Sequence, residues 1–300
     1  MSTPHDGLIA PLLDDVEWLR HSEEPPTVLY HYTGQTGLLG IVRDQALWAS
    51  KAQYLNDSKE FHHAFEVANT VITELAATGS SAPRNAFYQR LAGDFGRVRD
   101  ITYFVGSLSA ERDLLSQWRG YCKPGDAFAI GFPTSLLRAR VAALGWELVK
   151  CVYDLEEQRD LVRRLINHYA EKLPSGRVVV PAASLEEQIA EVSWNCTHHL
   201  GQIAPRLKHS SFKEESEWRL VSDLADLSDT RYKFRPGRFS LIPYTEFALT
   251  DEGSEPTEGL SIVIGPAPDQ LLSMNAVSWY VNQRWHGSSI TFANNAYRDW

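Results

Sequence analysis

Residues 27–33, TVLYHYT, alternate along the chain, with Val28, Tyr30 and Tyr32 on one face and Leu29, His31 and Thr33 on the other, the period of a half-buried strand. A glycine-marked turn follows, Thr36 is placed to cap a helix whose Leu38, Leu39 and Val42 share a side, and ALWAS (46–50) returns to a strand pattern. Helical spacing then runs from Ser58 to about Ala77, breaks in the small-residue linker ATGSSAPRN, and resumes to about Val98. Strand patterns recur at 101–109, 126–132 and 146–153, with a short helix in LLSQWRGY between the first two. Two further helices start at capping boxes, Asp154 with Glu157 and Ser184 with Glu187. EWRLVS, RYKFR, LIPYTEF and LSIVIG then give a strand-rich tail, with a helix near 268–283 before ITFANNAYRDW. A short helix around LLDDVEWLR opens the chain and breaks at Pro25 and Pro26.

Strands thus fall in three blocks with helices between them and no regular βα alternation, which predicts an α+β fold. The expected organisation is a helical extension over 1–26 and one domain over 27–300, carrying helical insertions near 58–98 and 155–208.

Composition narrows the classes. Three hundred residues with 43% hydrophobic and 11% aromatic content suffice for a substantial core. No stretch approaches the roughly 18 apolar residues of a membrane span, and no basic segment leads into an apolar one at the N-terminus. A soluble, cytoplasmic protein without membrane partners is expected. Cys122, Cys151 and Cys196 are widely spaced and odd in number, which suits reduced, mostly buried thiols rather than a disulfide framework or a metal site. A net charge of −9 disfavours non-specific binding along a phosphate backbone. One local exception is TRYKFRPGRFS, where Arg231, Lys233, Arg235 and Arg238 alternate with Tyr232, Phe234 and Phe239. That pattern reads either as a strand with a solvated cationic face and an aromatic core face, or as a clamp for a pyrophosphate.

Three constellations carry candidate chemistry. His31, flanked by Tyr30, Tyr32 and Thr33, is either a packed core histidine or a ligand contact at a strand end, with Gly34 and Gly37 letting backbone approach a ligand. In FKEESEWRLVS, Glu215 and Glu217 are two apart, so an extended backbone would project both carboxylates from one face. Such a pair either forms a solvated acidic turn or stabilises a developing cation, as cleavage of an N-glycosidic bond requires. In QYLNDSKEFHH, Asn56, Asp57 and Ser58 suit a turn and a helix cap, and Tyr54 is left to stack on a ligand ring. His62, His63, His198 and His199 form no i, i+4 ligand pair, so no metal site is expected. GxSxG, P-loop and GxGxxG patterns do not occur.

LYHYT, LLGIVRDQALWASKAQYLND, FVGSLSAERDLLSQWRGY, GDAFAIGF, FKEESEWRLV, LSIVIGP and NNAYRDW occur in the order that resembles a large bacterial family catalogued as a domain of unknown function. The opening YHYT, with its turn, short helix and LW, is more distantly similar to ADP-ribosyltransferases, in particular DarT-type toxins and RNA 2′-phosphotransferases. That resemblance implies a split antiparallel or mixed β-sheet core with inserted helices, and NAD as substrate, without a metal. It places His31 on NAD and makes Glu217 the carboxylate that assists loss of nicotinamide, with Glu215 two residues before it. Tyr32, Thr33 and Tyr54 would complete the nucleotide contacts, and Arg119 or Arg235 would neutralise the pyrophosphate. The implied activity is an NAD-dependent ADP-ribosyltransferase or an NAD glycohydrolase, suited to a toxin or anti-phage effector that acts on nucleic acid or protein and is controlled by a partner protein. The alternatives are a non-enzymatic ligand-binding or interaction module that keeps the fold, and an RNA 2′-phosphotransferase.

Overall fold

The structure is a computed structural model, and it describes residue 16 and residues 23–55, 58–78, 81–95, 103–121, 126–173, 184–223, 232–237, 240–251 and 259–294. The N-terminal helix expected around LLDDVEWLR (Val16 apart), and Asn56, Asp57, Cys122, Arg231, Arg238, Phe239 and the end of the terminal motif, lie outside the described residues.

In chain order the elements are β1 (Val28–Thr33), α1 (Gln35–Asp44), β2 (Ala46–Lys51), α2 (Ser58–Ala77), α3 (Ala82–Phe95), β3 (Phe104–Ser109), α4 (Leu115–Tyr121), β4 (Phe128–Pro133), α5 (Thr134–Leu144) and β5 (Glu147–Lys150). There follow α6 (Leu155–Glu171), α7 (Leu185–Ile203), β6 (Glu217–Val221), β7 (Lys233–Pro236), β8 (Leu241–Ala248), β9 (Ser261–Ile264), α8 (Gln270–Asn282) and β10 (Ser289–Phe292). The α+β class is as the patterning predicts. The Ser184–Glu187 capping box forms, each residue capping the other, whereas at Asp154 only half of the box forms: its carboxylate accepts from the amides of Glu156 and Glu157.

Thr36 does not cap α1. That helix begins at Gln35 with Gly34 as its N-cap and no side-chain bond from the cap itself. The Gln35 amide donates instead to the Asp126 carboxylate, an acceptor about 90 residues away that does the work of a local cap.

Two compact units make up the chain: Glu24–Tyr54, Phe104–Cys151 and Ser211–Trp300 form one, and Met1–Glu23, Leu55–Tyr103 and Val152–Ser210 the other. The second unit is helical. Its α2, α3, α6 and α7 surround a core that includes Val71, Phe87, Leu91, Leu165, Ile166, Tyr169 and Leu200. Its fully buried Gln158 is completely bonded: Nε2 donates to the carbonyls of Val152 (2.6 Å) and Lys208 (2.8 Å), and Oε1 pairs with His63 Nε2 (2.8 Å). In the same unit burial, helped by the neighbouring His198, lowers the His199 imidazole to about 4.

The first unit holds all ten described strands in one mixed sheet, ordered β10-β9-β4-β1-β3-β2-β8-β7, with β6 on β3 and β5 on β6. Only β9 with β10 is parallel. Period-2 alternation sorts the faces. Phe128, Ile130 and Phe132 of β4 and Ile262 and Ile264 of β9 enter the large core with α1, α5 and α8, whereas Ala127, Ala129 and Val263 face Tyr32 and Trp118.

Strand β3 is where the sheet divides. One edge is paired along its length with β6, from Val105–Val221 to Ser109–Glu217. The opposite edge is shared: β2 takes the start, at Phe104 and Val105, and β1 joins at Ser109, opposite Tyr30. Among the described residues, Gly106, Ser107 and Leu108 have no strand partner on that edge. A sheet forked in this way opens a recess between two of its strands.

Tyr30, beside the fork, pairs across to Gly131 of β4. A Cβ at Gly131 would lie 2.7 Å from Tyr30 Cε1 and 2.3 Å from Ser261 Oγ, so the glycine is what lets the tyrosine ring lie across the strand. Gly131→Ala is expected to lower stability by about 1–3 kcal/mol through overpacking, as measured by urea denaturation.

Candidate functional site

The recess at the fork has about 310 Å³ of open space, counting its mouth. Strand β1 contributes Tyr30, His31 and Tyr32, and the start of β6 contributes Glu217 with Glu215 just ahead of it. Residues 107–109 of β3 complete the strand side, and Gln117 and Tyr121 enter from α4.

His31 does a backbone's work. Its Nδ1 lies 2.9 Å from the Ser107 carbonyl, in the stretch of β3 that lacks a strand partner. A carbonyl only accepts, so Nδ1 carries the proton and Nε2 is left as an acceptor with no partner among the described residues. Burial holds the imidazole below its ordinary value of 6.5, opposed in part by the bond to Ser107. The neutral ring with Nε2 open can accept a hydrogen bond from a ligand hydroxyl.

Tyr32 acts through its hydroxyl, which donates to the Glu111 carbonyl (2.8 Å) and accepts from the Leu114 amide (2.9 Å), while its ring packs edge-on against Trp118 at 4.6 Å. These contacts anchor the segment that leads into α4. They set where Gln117 and Tyr121 stand.

Glu217 is buried, and Arg219, two residues on, is buried with it. The pair is bidentate: Arg219 Nε to Oε1 and Nη2 to Oε2 are both 2.9 Å, with Cys151 Sγ 3.7 Å from Oε2. The guanidinium balances the carboxylate charge in a site where neither would be stable alone.

Glu215 reaches the recess differently from the sequence expectation. The backbone is not extended through it: residues 210–215 form a 3₁₀ turn, and Ser216 has φ 45°, in the left-handed region. The Ser109 hydroxyl donates to the Glu215 carbonyl at 2.7 Å and accepts from the Glu111 amide at 3.0 Å, pinning that turn to β3. Both glutamates line the recess even though they do not follow strand alternation.

The remaining candidates stand elsewhere. Thr33 ends β1 and Tyr54, 40% exposed, lies in a 3₁₀ turn; neither lines the recess. Arg119 is an exposed residue of α4, on the same helix as Gln117. Arg235, on β7, donates through Nη2 to Ser50 Oγ at 2.9 Å, and its neighbour Lys233 pairs with Glu246 at 2.6 Å. Phe234 is 62% exposed on β7, an edge strand paired with β8, whereas Tyr232 packs on the buried Phe104 with ring centroids 4.8 Å apart, so the two described aromatics of this stripe do not share the core face that alternation predicts. The spaces at Gly34 and Gly37 are taken by protein groups: a Cβ at Gly34 would meet the Asp126 carboxylate at 3.1 Å, and one at Gly37 would overlap Thr33 Oγ1. Tyr30 was present in the LYHYT run, but Gln117 and Tyr121 carried no motif beyond their i, i+4 spacing on a short helix.

Residues 117–220 match the family described as "Protein of unknown function (DUF2971)". The match covers about a third of the chain and includes Gln117, Tyr121, Glu215 and Glu217 but not His31. No curated protein and no solved structure matches the chain. Among the described residues, no three His, Cys, Asp or Glu side chains group as a metal site requires, and no helix is long and apolar enough to cross a membrane.

Arg219→Met is expected to cost about 3–5 kcal/mol in chemical denaturation, since it strands a buried carboxylate, and the Glu217→Met/Arg219→Met double variant is expected to recover most of that loss. For His31, the folded state holds the proton less tightly than the unfolded state. Its contribution to stability is therefore complete above pH 6.5 and is lost as pH falls below that value, at about 1.4 kcal/mol per pH unit until the folded imidazole itself titrates. Nitrogen-15 NMR is expected to show the Nδ1–H tautomer and a midpoint below 6.5.

Proposed function

We propose that the recess binds NAD and promotes cleavage of its nicotinamide–ribose bond, as an NAD-dependent ADP-ribosyltransferase or an NAD glycohydrolase. The observation that carries this reading is the meeting of His31, Glu215 and Glu217, about 180 residues apart in sequence, around one recess at the fork of the sheet. The likeness of YHYT and of the glutamate pair to ADP-ribosyltransferase motifs supports it. In this reading Glu217, kept ionised and oriented by Arg219, accepts a hydrogen bond from the nicotinamide ribose and stabilises the oxocarbenium-like transition state as nicotinamide leaves. His31 Nε2 accepts from a second ribose hydroxyl and holds the dinucleotide in register. Arg119, on the helix that also bears Gln117, supplies charge for the pyrophosphate.

Of the stripe's four cations, the two among the described residues are engaged, Lys233 by Glu246 and Arg235 by Ser50. Nucleic acid, protein or water could serve as acceptor, and a toxin or anti-phage role would fit any of them. A second reading, a ligand-binding module without turnover, is favoured by the engagement of both Glu217 oxygens by Arg219.

Nicotinamide release from NAD by the purified protein separates the two. Turnover is expected to fall by about 10²–10³ in Glu217→Gln and to be lost in His31→Ala. Binding of NAD without release by the wild type would establish the module, and release that requires 2′-phosphorylated RNA would indicate a phosphotransferase.

A further inference from the structure

Gln117 stands out among the polar groups of the recess. It is 6% exposed, it lines the recess from α4, and its carboxamide has no hydrogen-bond partner among the described residues. The other deeply buried glutamine, Gln158, satisfies its donors and its acceptor with three bonds. Its polar atoms open on the recess, where a ligand or water can complete them. The side chains around it are fixed. Trp118, its neighbour in the helix, donates from Nε1 to Asp113 at 2.7 Å, and Tyr32 anchors Leu114, so α4 holds Gln117 at the recess from both sides.

We propose that Gln117 recognises the carboxamide of nicotinamide, pairing amide to amide; this rests on the NAD reading above. A carboxamide offers a paired donor and acceptor, and its best complement is a group that presents the same pair in reverse. Tyr30 and Tyr121 line the same recess and give aromatic faces for a pyridine ring. The assignment also fits the local sequence. His31 is followed by Tyr32 and Thr33, not by a glycine whose exposed backbone could grip the amide, and the Tyr32 hydroxyl is committed to Glu111 and Leu114. The adenine edge carries a similar donor–acceptor pair, but Gln117 shares its recess with His31 and Glu217, the groups assigned to the ribose that bears nicotinamide.

The test compares wild type with Gln117→Met by NMR titration of free nicotinamide, nicotinic acid and adenosine, with NAD turnover measured in parallel. The methionine keeps the side-chain volume and removes both hydrogen-bonding groups. Wild type is expected to bind nicotinamide roughly 10- to 100-fold more tightly than nicotinic acid, which lacks the donor, and Gln117→Met is expected to lose most of that preference. Its melting temperature is expected to stay level or rise, whereas a structural glutamine would lower it on removal. The proposal is overturned if wild type binds neither pyridine, if the preference for the amide survives in Gln117→Met, or if adenosine alone shows dependence on Gln117. The outcomes for turnover are separate: an amide preference that depends on Gln117 without any NAD cleavage supports this assignment and sinks the catalytic reading, while cleavage that is indifferent to Gln117 does the reverse.

Discussion

A backbone carbonyl without a ladder partner is the constraint from which the recess follows. A strand that belongs to two diverging neighbours leaves part of one edge unpaired, and buried main-chain groups do not tolerate that. Here β3 gives its start to β2 and its end to β1, and the Ser107 carbonyl between them is met by the ring of His31. The imidazole therefore substitutes for a strand. It can do so because it reaches across the widening gap and donates from one nitrogen while the other remains outward for chemistry. The same economy appears at each end: Ser109 closes on the turn before β6, and Tyr32 closes on the segment before α4. Polar residues in a strand that would otherwise carry packing side chains are thus explained by backbone groups that the fork exposes.

The Glu217–Arg219 pair answers a different need. A carboxylate at the start of a buried strand is tolerable only if its charge is matched at short range, and the nearest position on the same face of β6 is two residues on. That solution fixes the carboxylate in orientation. It also distinguishes this site from one in which a glutamate projects unaccompanied into solvent.

Much of this architecture was legible in the sequence, and what was not has a common cause. Period-2 alternation locates the strands because one face of each is buried, and the Ser184–Glu187 box marks its helix because that capping chemistry is local. The fork depends on registers between strands about 75 residues apart, such as Tyr30 with Ser109, which no local pattern encodes. Thr36 was a reasonable cap by residue type, but Asp126 reached Gln35 first. Glu215 and Glu217 were joined by the assumption of extended backbone, and Ser216 breaks it. Gln117 and Gln158 look alike in sequence: each is a glutamine within an amphipathic helix. The bonds to Val152, Lys208 and His63 that satisfy the second exist only in the folded chain, and so does their lack at the first.

The distribution of local costs supports treating the recess as a site whatever its chemistry. In the helical unit the chain is consistent across levels: α6 and α7 are capped where the sequence predicts and the buried Gln158 is fully bonded. Around the recess three departures gather, namely the left-handed Ser216, the carboxylate and guanidinium taken out of water together, and an imidazole whose proton affinity burial depresses. Each carries a cost of roughly 1–3 kcal/mol or more when uncompensated, comparable to a sizeable part of a domain's net stability. Comparable costs occur elsewhere, as at the buried His199 of the helical unit, but the gathering of several around one opening in the sheet points to selection on what that opening holds.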